Sequence, residues 1–336
     1  KRLLAIDGPP GKGRNLLAAW RFCLDEGVDA VVTLDGDMTT VQPWWIEAFL
    51  RPIADGRADF VSPLYLRSWY RVVTARNISR AFLYAWFGTD IQHPLSGNAA
   101  ISRALLRRLA ARDWTAAQLG YGVETTVVST LLGDGRPWAT AQLDICSDAD
   151  RRFSHRKQII RDAMTASVEA AREFEPRPGP GGPVETSPMT NFGGPMPETD
   201  WLEEGFAPAR NLAADCWQDY ERWAGDRLGE LEAAVVSHRL SAPLWFHVFA
   251  RALLEARGAG RMVPAARYAA SLAPLVSLRA LTVWSDIAPL QAGEVDVAAA
   301  AEVPEMRSAL ADAAGWIRRH EADAAPRYER RRSALS

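Results

Sequence analysis

The chain has 336 residues, of which 48% are apolar and 24% charged, so it is long enough to bury a large globular core beside a smaller unit. A formal net charge of -2 and a pI near 6.3 exclude the strongly basic surface that nucleic-acid-binding proteins need. Three widely spaced cysteines predict free thiols, and the lack of a long apolar stretch predicts a cytoplasmic protein with no membrane span or signal peptide.

The first third of the chain alternates short apolar segments with amphipathic helices. An apolar segment at 3–7 reads as a strand and leads into a Gly-rich turn at 8–13. The elements predicted next are helix 15–26, strand 30–34, helix 43–54, strand 59–65 and helix 76–88. This order predicts an α/β fold with a parallel sheet and crossover helices.

The chain opens at Lys1 without a methionine and enters the apolar segment 3–7 at once. We therefore expect a start in mid-domain, as in a fragment or a reading frame that begins too late, with the first strands of the sheet left out.

The second half changes composition. Residues 173–199 contain a dense run of Pro and Gly and predict a flexible linker or loop. Residues 200–336 are rich in Ala, Leu, Arg and Glu, which predicts a helical C-terminal domain. The predicted division is therefore an α/β core over 1–172, the linker, and the helical domain.

Asp35, Gly36 and Asp37 directly follow the apolar run 30–34. The carboxyl end of a strand is where open α/β sheets place their ligands. Two carboxylates one residue apart, in a turn allowed by the intervening Gly, can present oxygens to a hard cation such as Mg²⁺ or Mn²⁺. A polar turn without a ligand is the alternative.

The segment Gly11-Lys12-Gly13 has only a superficial likeness to a phosphate-binding P-loop. No Ser or Thr follows Lys12, so nucleoside triphosphatase chemistry is rejected. Backbone N–H groups at the start of the helix, together with Lys12, could still contact a diphosphate. A plain helix-entry turn explains the segment equally well.

Six motifs in order resemble the retaining GT-A glycosyltransferases that make glucosyl-3-phosphoglycerate and mannosylglycerate. They are Gly11-Lys12-Gly13, Leu34-Asp35-Gly36-Asp37, Arg71-Val72-Val73-Thr74, Pro94-Leu95-Ser96-Gly97-Asn98, Gly120-Tyr121-Gly122-Val123-Glu124 and Phe153-Ser154-His155-Arg156-Lys157. The resemblance covers residues 1 to about 170 and implies a GT-A-like, Rossmann-like mixed sheet. The helical remainder is similar in pattern to the C-terminal extension of mannosylglycerate synthases.

The resemblance implies a donor site built around a divalent cation. In the family, the Asp-x-Asp motif and a later His bind Mg²⁺ or Mn²⁺, which places Asp35, Asp37 and His155 in the metal site. Lys12 and Gly36 take donor-binding positions. The loop residues that would cradle the donor sugar are Leu95, Ser96 and Gly97.

The same resemblance implies acceptor-binding positions at Arg71, Thr74 and Asn98. Arg and Thr suit a small anion, because a guanidinium binds carboxylate or phosphate through paired hydrogen bonds. The family has a Glu where this chain has Asn98, and glycines where it has Trp69 and Tyr70. An Arg and a Thr at a helix start with no ligand are the alternative.

Glu124 and Asp113 are the catalytic candidates. In the family, an acidic residue at the position of Glu124 lies near the donor sugar and the acceptor, where it could orient a hydroxyl. A Glu favoured by the dipole of its helix is the alternative. Asp113 resembles an acidic position of mannosylglycerate synthases. No enzyme nucleophile is assigned.

The sequence thus predicts a cytoplasmic, metal-dependent retaining glycosyltransferase. Its partners would be a nucleoside diphosphate sugar, carrying glucose or mannose, and a small anionic acceptor such as glycerate or 3-phosphoglycerate. The implied role is compatible-solute or methylglucose-polysaccharide synthesis, and the helical region could support a homodimer. The alternatives are a transferase acting on a lipid phosphate or polysaccharide, and a degenerate transferase fold that only binds.

Overall fold

A computed structural model describes residues 6, 8–66, 75–145, 156–177, 214–287, 306 and 308–321. The strands are β1 Ala30–Thr33, β2 Phe60–Leu66, β3 Ala99–Ser102 and β4 Trp138–Ile145. The helices before residue 200 are α1 Lys12–Asp25, α2 Pro43–Ala54, α3 Ala81–Phe87 with a preceding π-helical turn Arg76–Arg80, α4 Arg103–Ala110, α5 Val123–Gly133 and α6 Arg156–Glu173. Beyond it lie α7 Ala214–Ala224, α8 Leu228–Ser237, α9 Ala242–Ala259 and α10 Ala265–Ile287, and 308–320 is also helical.

The described strands form one mixed sheet in the order β1, β3, β2, β4. Strand β3 is antiparallel to both of its neighbours, with Thr33 opposite Ala99 and Phe60 opposite Ile101. Strands β2 and β4 are parallel. The mixed α/β sheet followed by helices confirms the predicted fold class.

The local elements agree with the sequence more closely than the strand directions do. Helix α2 has its predicted limits, and Pro43 occupies its first turn, where a missing N–H costs nothing. The prediction that 30–34 is a buried parallel strand is wrong: β1 is antiparallel to β3 and only half-buried. Strand β3 did not stand out in the sequence, because it is four residues long and begins with two alanines. The predicted strand 3–7 lies outside the described residues apart from Ile6.

The sheet separates two apolar clusters. Successive strand residues point to opposite faces, so Val61 and Ala100 pack with Trp45 and Phe49 of α2 on one side. On the other side Phe60 joins the larger cluster formed with the remaining helices. Helix α1 faces that cluster with Gly13, Leu17 and Trp20, which are spaced as one face of a helix.

The helices beyond residue 200 share this larger cluster with the α/β part. The indole N–H of Trp245 donates to the Asn77 carbonyl at 2.9 Å. Arg257 donates to the carbonyls of Ala171 and Phe174, both at 3.0 Å, and so closes the C-terminal end of α6. Most of the predicted linker, residues 178–199, lies outside the described residues, and the predicted division into a core, a linker and a helical domain stays a prediction. In the described part of the chain, no helix has the length and apolar character needed to cross a membrane.

Candidate functional site

The acidic turn, Asp35 to Asp37, is held at the end of β1 by the loop that leads into β3. Because the two strands are antiparallel, the end of β1 meets the start of β3. The backbone N–H of Asp35 donates to Oδ1 of Asn98 at 2.8 Å, and the N–H of Asn98 donates to Oγ of Ser96 at 3.1 Å. A Cβ at Gly97 would overlap with the Asp35 carboxylate. The lack of a side chain at Gly97 thus lets the loop lie directly against that carboxylate.

Asn98 is almost fully buried, at 1% exposure, and its side chain is engaged within the chain. Besides accepting from Asp35, its amide nitrogen approaches Sδ of Met38 at 3.7 Å. The side chain predicted to face an acceptor therefore positions the acidic turn. A direct contact between Asn98 and an acceptor stays a prediction.

Gly36 and Asp37 are the exposed part of the acidic turn. Gly36 does not have a left-handed φ, and a Cβ there would meet nothing within 4 Å among the described residues. The expectation that this turn depends on glycine is therefore corrected: neither backbone conformation nor space requires it. Open space beside two carboxylates leaves room for a ligand.

The N-terminal turn of α1 packs against the backbone before α5. A Cβ at Gly11 or Gly13 would overlap with backbone carbonyls of Leu119 and Gln118. The N–H of Gly13 donates to the Gly120 carbonyl at 3.0 Å, and the N–H of Arg14 donates to the Leu119 carbonyl at 2.9 Å. These N–H groups are therefore engaged, so the suggestion that they meet a diphosphate is not supported. Lys12 is left as the group this turn offers.

Glu124 lies in the first turn of α5 and is buried. The Gly-rich segment before it is fixed by Asp162 of α6, whose carboxylate accepts from the Tyr121 N–H at 2.9 Å. A Cβ at Gly120 would overlap with that carboxylate. Asp162 was missed by the sequence reasoning, and its position forty-one residues from Tyr121 gives no local signal.

Lys12 connects the acidic turn with the buried Glu124. Its ammonium lies 2.6 Å from Oε1 of Glu124 and 3.0 Å from Oδ1 of Asp35. We refer to Lys12, Asp35 and Glu124 as the site cluster. It contains two carboxylates for one ammonium, and Asp37 adds a further negative charge at the surface.

The pKa values of the site cluster follow from this crowding. Burial raises the pKa of Glu124, Lys12 opposes that shift, and the negative charge of Asp35 adds to it. For Lys12, burial acts to lower the pKa, but attraction to Glu124 and Asp35 outweighs burial and the pKa is raised. The ammonium is therefore charged at every physiological pH, and the negative charge next to it is only partly neutralised.

A narrow cavity lies beside the site cluster, on the face of the sheet that carries Phe60 and the larger apolar cluster. Glu124 and the loop before β3 line it, with His93, Ser96 and Gly97 contributed by that loop. Its other walls are mainly apolar, including Trp20 and Phe60. Leu95 packs against the hydrophobic cluster. His93 is buried and was not singled out from the sequence.

The donor chemistry of the acidic turn fits a hard divalent cation. Asp35 and Asp37 supply carboxylate oxygens, and the side of the turn at Gly36 is open. In the described ranges no three His, Cys, Asp or Glu side chains are grouped to hold a metal. Mg²⁺ is commonly bound through one or two carboxylates together with waters and substrate phosphates, so two protein ligands suffice for this class of site.

Other predicted site residues lie elsewhere. Asp113 is exposed and lines a separate open groove with Arg14, Arg21 and Arg112, so it does not join the site cluster. The predicted acceptor residues Arg71 and Thr74 and the predicted metal ligand His155 lie outside the described residues.

Comparison with solved structures finds glucosyl-3-phosphoglycerate synthase from Mycobacterium tuberculosis. Its complex with phosphoglyceric acid is 24% identical over 49% of this chain and 56% of that chain, with a TM-score of 0.41. Its complex with Mn²⁺, UDP-glucose and phosphoglyceric acid is 24% identical over 48% and 56% of the two chains, with a TM-score of 0.38. Its complex with Mg²⁺ and UDP is 24% identical over 48% of this chain and 56% of that chain, with a TM-score of 0.39.

The matches span little more than half the length of the solved chains. No family model and no curated protein matches the chain.

Proposed function

We propose that this chain is a metal-dependent retaining glycosyltransferase that moves a hexose from a nucleoside diphosphate sugar to a small anionic acceptor, such as glycerate or 3-phosphoglycerate. One observation carries the proposal: four of the six motifs meet at the end of β1. Lys12, Asp35, Asn98 and Glu124 come from different motifs and are joined by direct contacts. A sugar-nucleotide site needs this combination of an acidic turn, a lysine ammonium and a buried carboxylate in one place.

The charges of the site suit a diphosphate together with a divalent cation. Asp35, Asp37 and Glu124 against Lys12 leave an excess of negative charge at the cluster. Asp35 and Asp37 would hold Mg²⁺ or Mn²⁺, with His155 as the further predicted ligand. When bound, the cation neutralises negative charge that develops on the diphosphate as the sugar leaves. Lys12 would supply a second positive charge to the same phosphates.

Glu124 is the group best placed to act on the sugar or the acceptor. It lines the cavity beside the acidic turn and is held by Lys12 on one side. A carboxylate there accepts a hydrogen bond from a hydroxyl and favours positive charge on the sugar. Arg71 and Thr74 stay the predicted acceptor residues, and a cytoplasmic location stays a prediction.

Substitution of Asp37 tests the proposal. Asp37→Ala removes an exposed carboxylate of the acidic turn and should reduce metal-dependent release of nucleoside diphosphate by at least about a hundredfold. Because the Asp37 side chain is exposed, its loss should leave the thermal midpoint unchanged. Asp312→Ala, which removes an exposed carboxylate from the helix over 308–320, is the matched control and should retain full activity.

The assay uses the full chain with a panel of UDP- and GDP-sugars and with glycerate and 3-phosphoglycerate as acceptors. Activity that survives Asp37→Ala would refute the metal assignment. Transfer only to a lipid phosphate or a polysaccharide would replace the small anionic acceptor. Binding of nucleotide sugars without turnover on any acceptor would identify a binding protein.

A further inference from the structure

Lys12 lies where two functions of the site conflict. Its ammonium is 3.0 Å from Oδ1 of Asp35, the same carboxylate that is assigned to the cation. The Lys12 side chain is 28% exposed and that of Asp35 is 33% exposed, whereas Glu124 is only 9% exposed. The contact with Glu124 is therefore the deeper one, and the contact with Asp35 faces the opening of the site.

The ammonium contacts one of the two Asp35 oxygens, so a divalent cation bound to either oxygen of this carboxylate would lie within a few ångströms of it. Like charges a few ångströms apart repel strongly when they are partly shielded from water, where the effective dielectric constant is about 20. Glu124 can keep Lys12 while Asp35 changes partner, since the two contacts are made to different carboxylates. The geometry allows an exchange in which Lys12 leaves Asp35 but stays near the site.

We propose that Lys12 is an internal competitor of the divalent cation. In the free protein it neutralises Asp35. When the cation binds Asp35, the ammonium is displaced toward Glu124 and the donor phosphates, which supply the negative charge it has lost. Cation and nucleotide therefore strengthen each other's binding. This inference rests on the proposed function, because it takes Asp35 as a cation ligand.

The composition of the chain supports a positively charged side chain at position 12 that can change its partner. Lys and Arg total 39, yet only Lys1, Lys12 and Lys157 are lysines. Several arginines among the described residues form forked contacts, such as the two hydrogen bonds from Arg80 to Asp90 at 2.5 and 2.8 Å. A lysine carries a compact charge on a flexible stem and changes partner without losing a planar, two-bond geometry.

Binding of Mn²⁺ alone to the full chain, followed by electron paramagnetic resonance, tests the competition. Lys12→Gln should bind Mn²⁺ about two- to fivefold more tightly than wild type, the factor expected when a partly exposed ion pair no longer competes. UDP and GDP should tighten Mn²⁺ binding in wild type and have less effect in Lys12→Gln.

Arg14→Gln is the matched control. It removes one positive charge from the same helix, but its side chain lines the open groove with Asp113. Mn²⁺ affinity should therefore stay at the wild-type value. Lys12→Arg keeps the charge and should bind Mn²⁺ no more tightly than wild type.

A second measurement needs no substitution. Because the chain has three lysines, ¹³Cε-lysine labelling gives a simple spectrum, and Mg²⁺ should shift the Lys12 signal. If Lys12→Gln binds Mn²⁺ no more tightly, or the Lys12 signal is unmoved while cation binding still needs Asp37, the competition is overturned and the proposed function stands. If no form of the chain binds Mn²⁺, with or without nucleotide, both are overturned.

Discussion

Two charged clusters of this molecule differ in how many positive groups surround their buried carboxylate. The site cluster has two carboxylates, Asp35 and Glu124, for the one ammonium of Lys12. The second, which we call the helical cluster, is formed by Asp219, Arg222, Arg267 and Ser271. There the Asp219 carboxylate accepts from both arginines and from the serine hydroxyl, and Arg222 also contacts the Glu255 carboxylate.

The pKa shifts follow this balance. Burial raises the pKa of Glu124, and its one cation does not offset the effect. Burial also acts to raise the pKa of Asp219, but hydrogen bonds from Ser271, Arg222 and Arg267 outweigh it and the pKa is lowered. A fully satisfied carboxylate stabilises the fold. A carboxylate short of positive charge costs stability and is what a site for a cation and a diphosphate requires.

The largest effect that separates the two clusters is expected for Glu124→Gln. The neutral amide keeps the shape but loses the charge that acts on sugar or acceptor, so transfer should fall by about a hundredfold. Initial rates of nucleoside diphosphate release at saturating acceptor measure this. A fall of less than about threefold would mean that Glu124 only anchors Lys12.

The same variant should show the energetic cost of the site cluster. Because the pKa of Glu124 is raised in the folded protein, its contribution to stability is full below the ordinary value of 4.5 and is lost as the pH rises through the raised pKa. Urea unfolding should therefore show Glu124→Gln gaining stability relative to wild type as the pH rises through that range. If Glu124→Gln instead lost stability relative to wild type over the same pH range, Glu124 would stabilise the fold as Asp219 does.

Gly97→Ala should have the next largest effect. The added methyl group overlaps with the Asp35 carboxylate and must displace it from both Lys12 and the opening of the site. We expect transfer to fall about tenfold or more and the apparent Mn²⁺ affinity to fall with it. Unchanged Mn²⁺ affinity would show that Asp35 is not a cation ligand in this position.

Asp219→Ala tests the other side of the comparison. It removes the acceptor shared by Arg222, Arg267 and Ser271, although Arg222 keeps its contact with Glu255. We expect a loss of about 2 kcal/mol in unfolding free energy, a modest value because both arginines are about half exposed. The loss should be full at pH values above 3.8 and shrink as the pH falls through the lowered pKa of Asp219. Urea unfolding from pH 7 to 3 measures it. Mn²⁺ affinity should not change.

Gly36→Ala should have the smallest effect. A Cβ has open space there, and φ is not left-handed. The transfer rate and the unfolding equilibrium constant should therefore both stay within about twofold of wild type. A larger fall in donor or Mn²⁺ affinity would show that a ligand approaches the turn closely at this residue, which would sharpen the contrast with Gly97.

The sequence predicts the local structure well where the chain itself determines it. Helix α2 has the limits set by Pro43 and by apolar residues Trp45 and Phe49 at helical spacing. Strand direction was not predictable in this way, because the antiparallel pairing of β1 with β3 joins residues almost seventy positions apart. The π-helical turn at Arg76–Arg80 also has no local sequence signature.

The members of the site were predictable as types of residue, but their contacts were not. Asp35 and Glu124 stood out through motifs, and the resemblance placed Asp35 in the metal site and Glu124 near the donor sugar and the acceptor. That Lys12 bridges them, and that Asn98 fastens the acidic turn, depends on how β3 and α5 are brought to the end of β1. Such contacts are fixed by tertiary packing, which periodicity and spacing do not predict.

The hydrogen bond from Trp245 to Asn77 spans 168 residues of the chain. During synthesis, the buried π-helical turn Arg76–Arg80 can complete its packing only after α9 has left the ribosome. Long-range contacts of this kind slow folding and prolong the exposure of apolar surface. At a translation rate of about 5–20 residues per second, the delay is on the order of ten to thirty seconds, long enough for chaperones to matter to the yield of native protein.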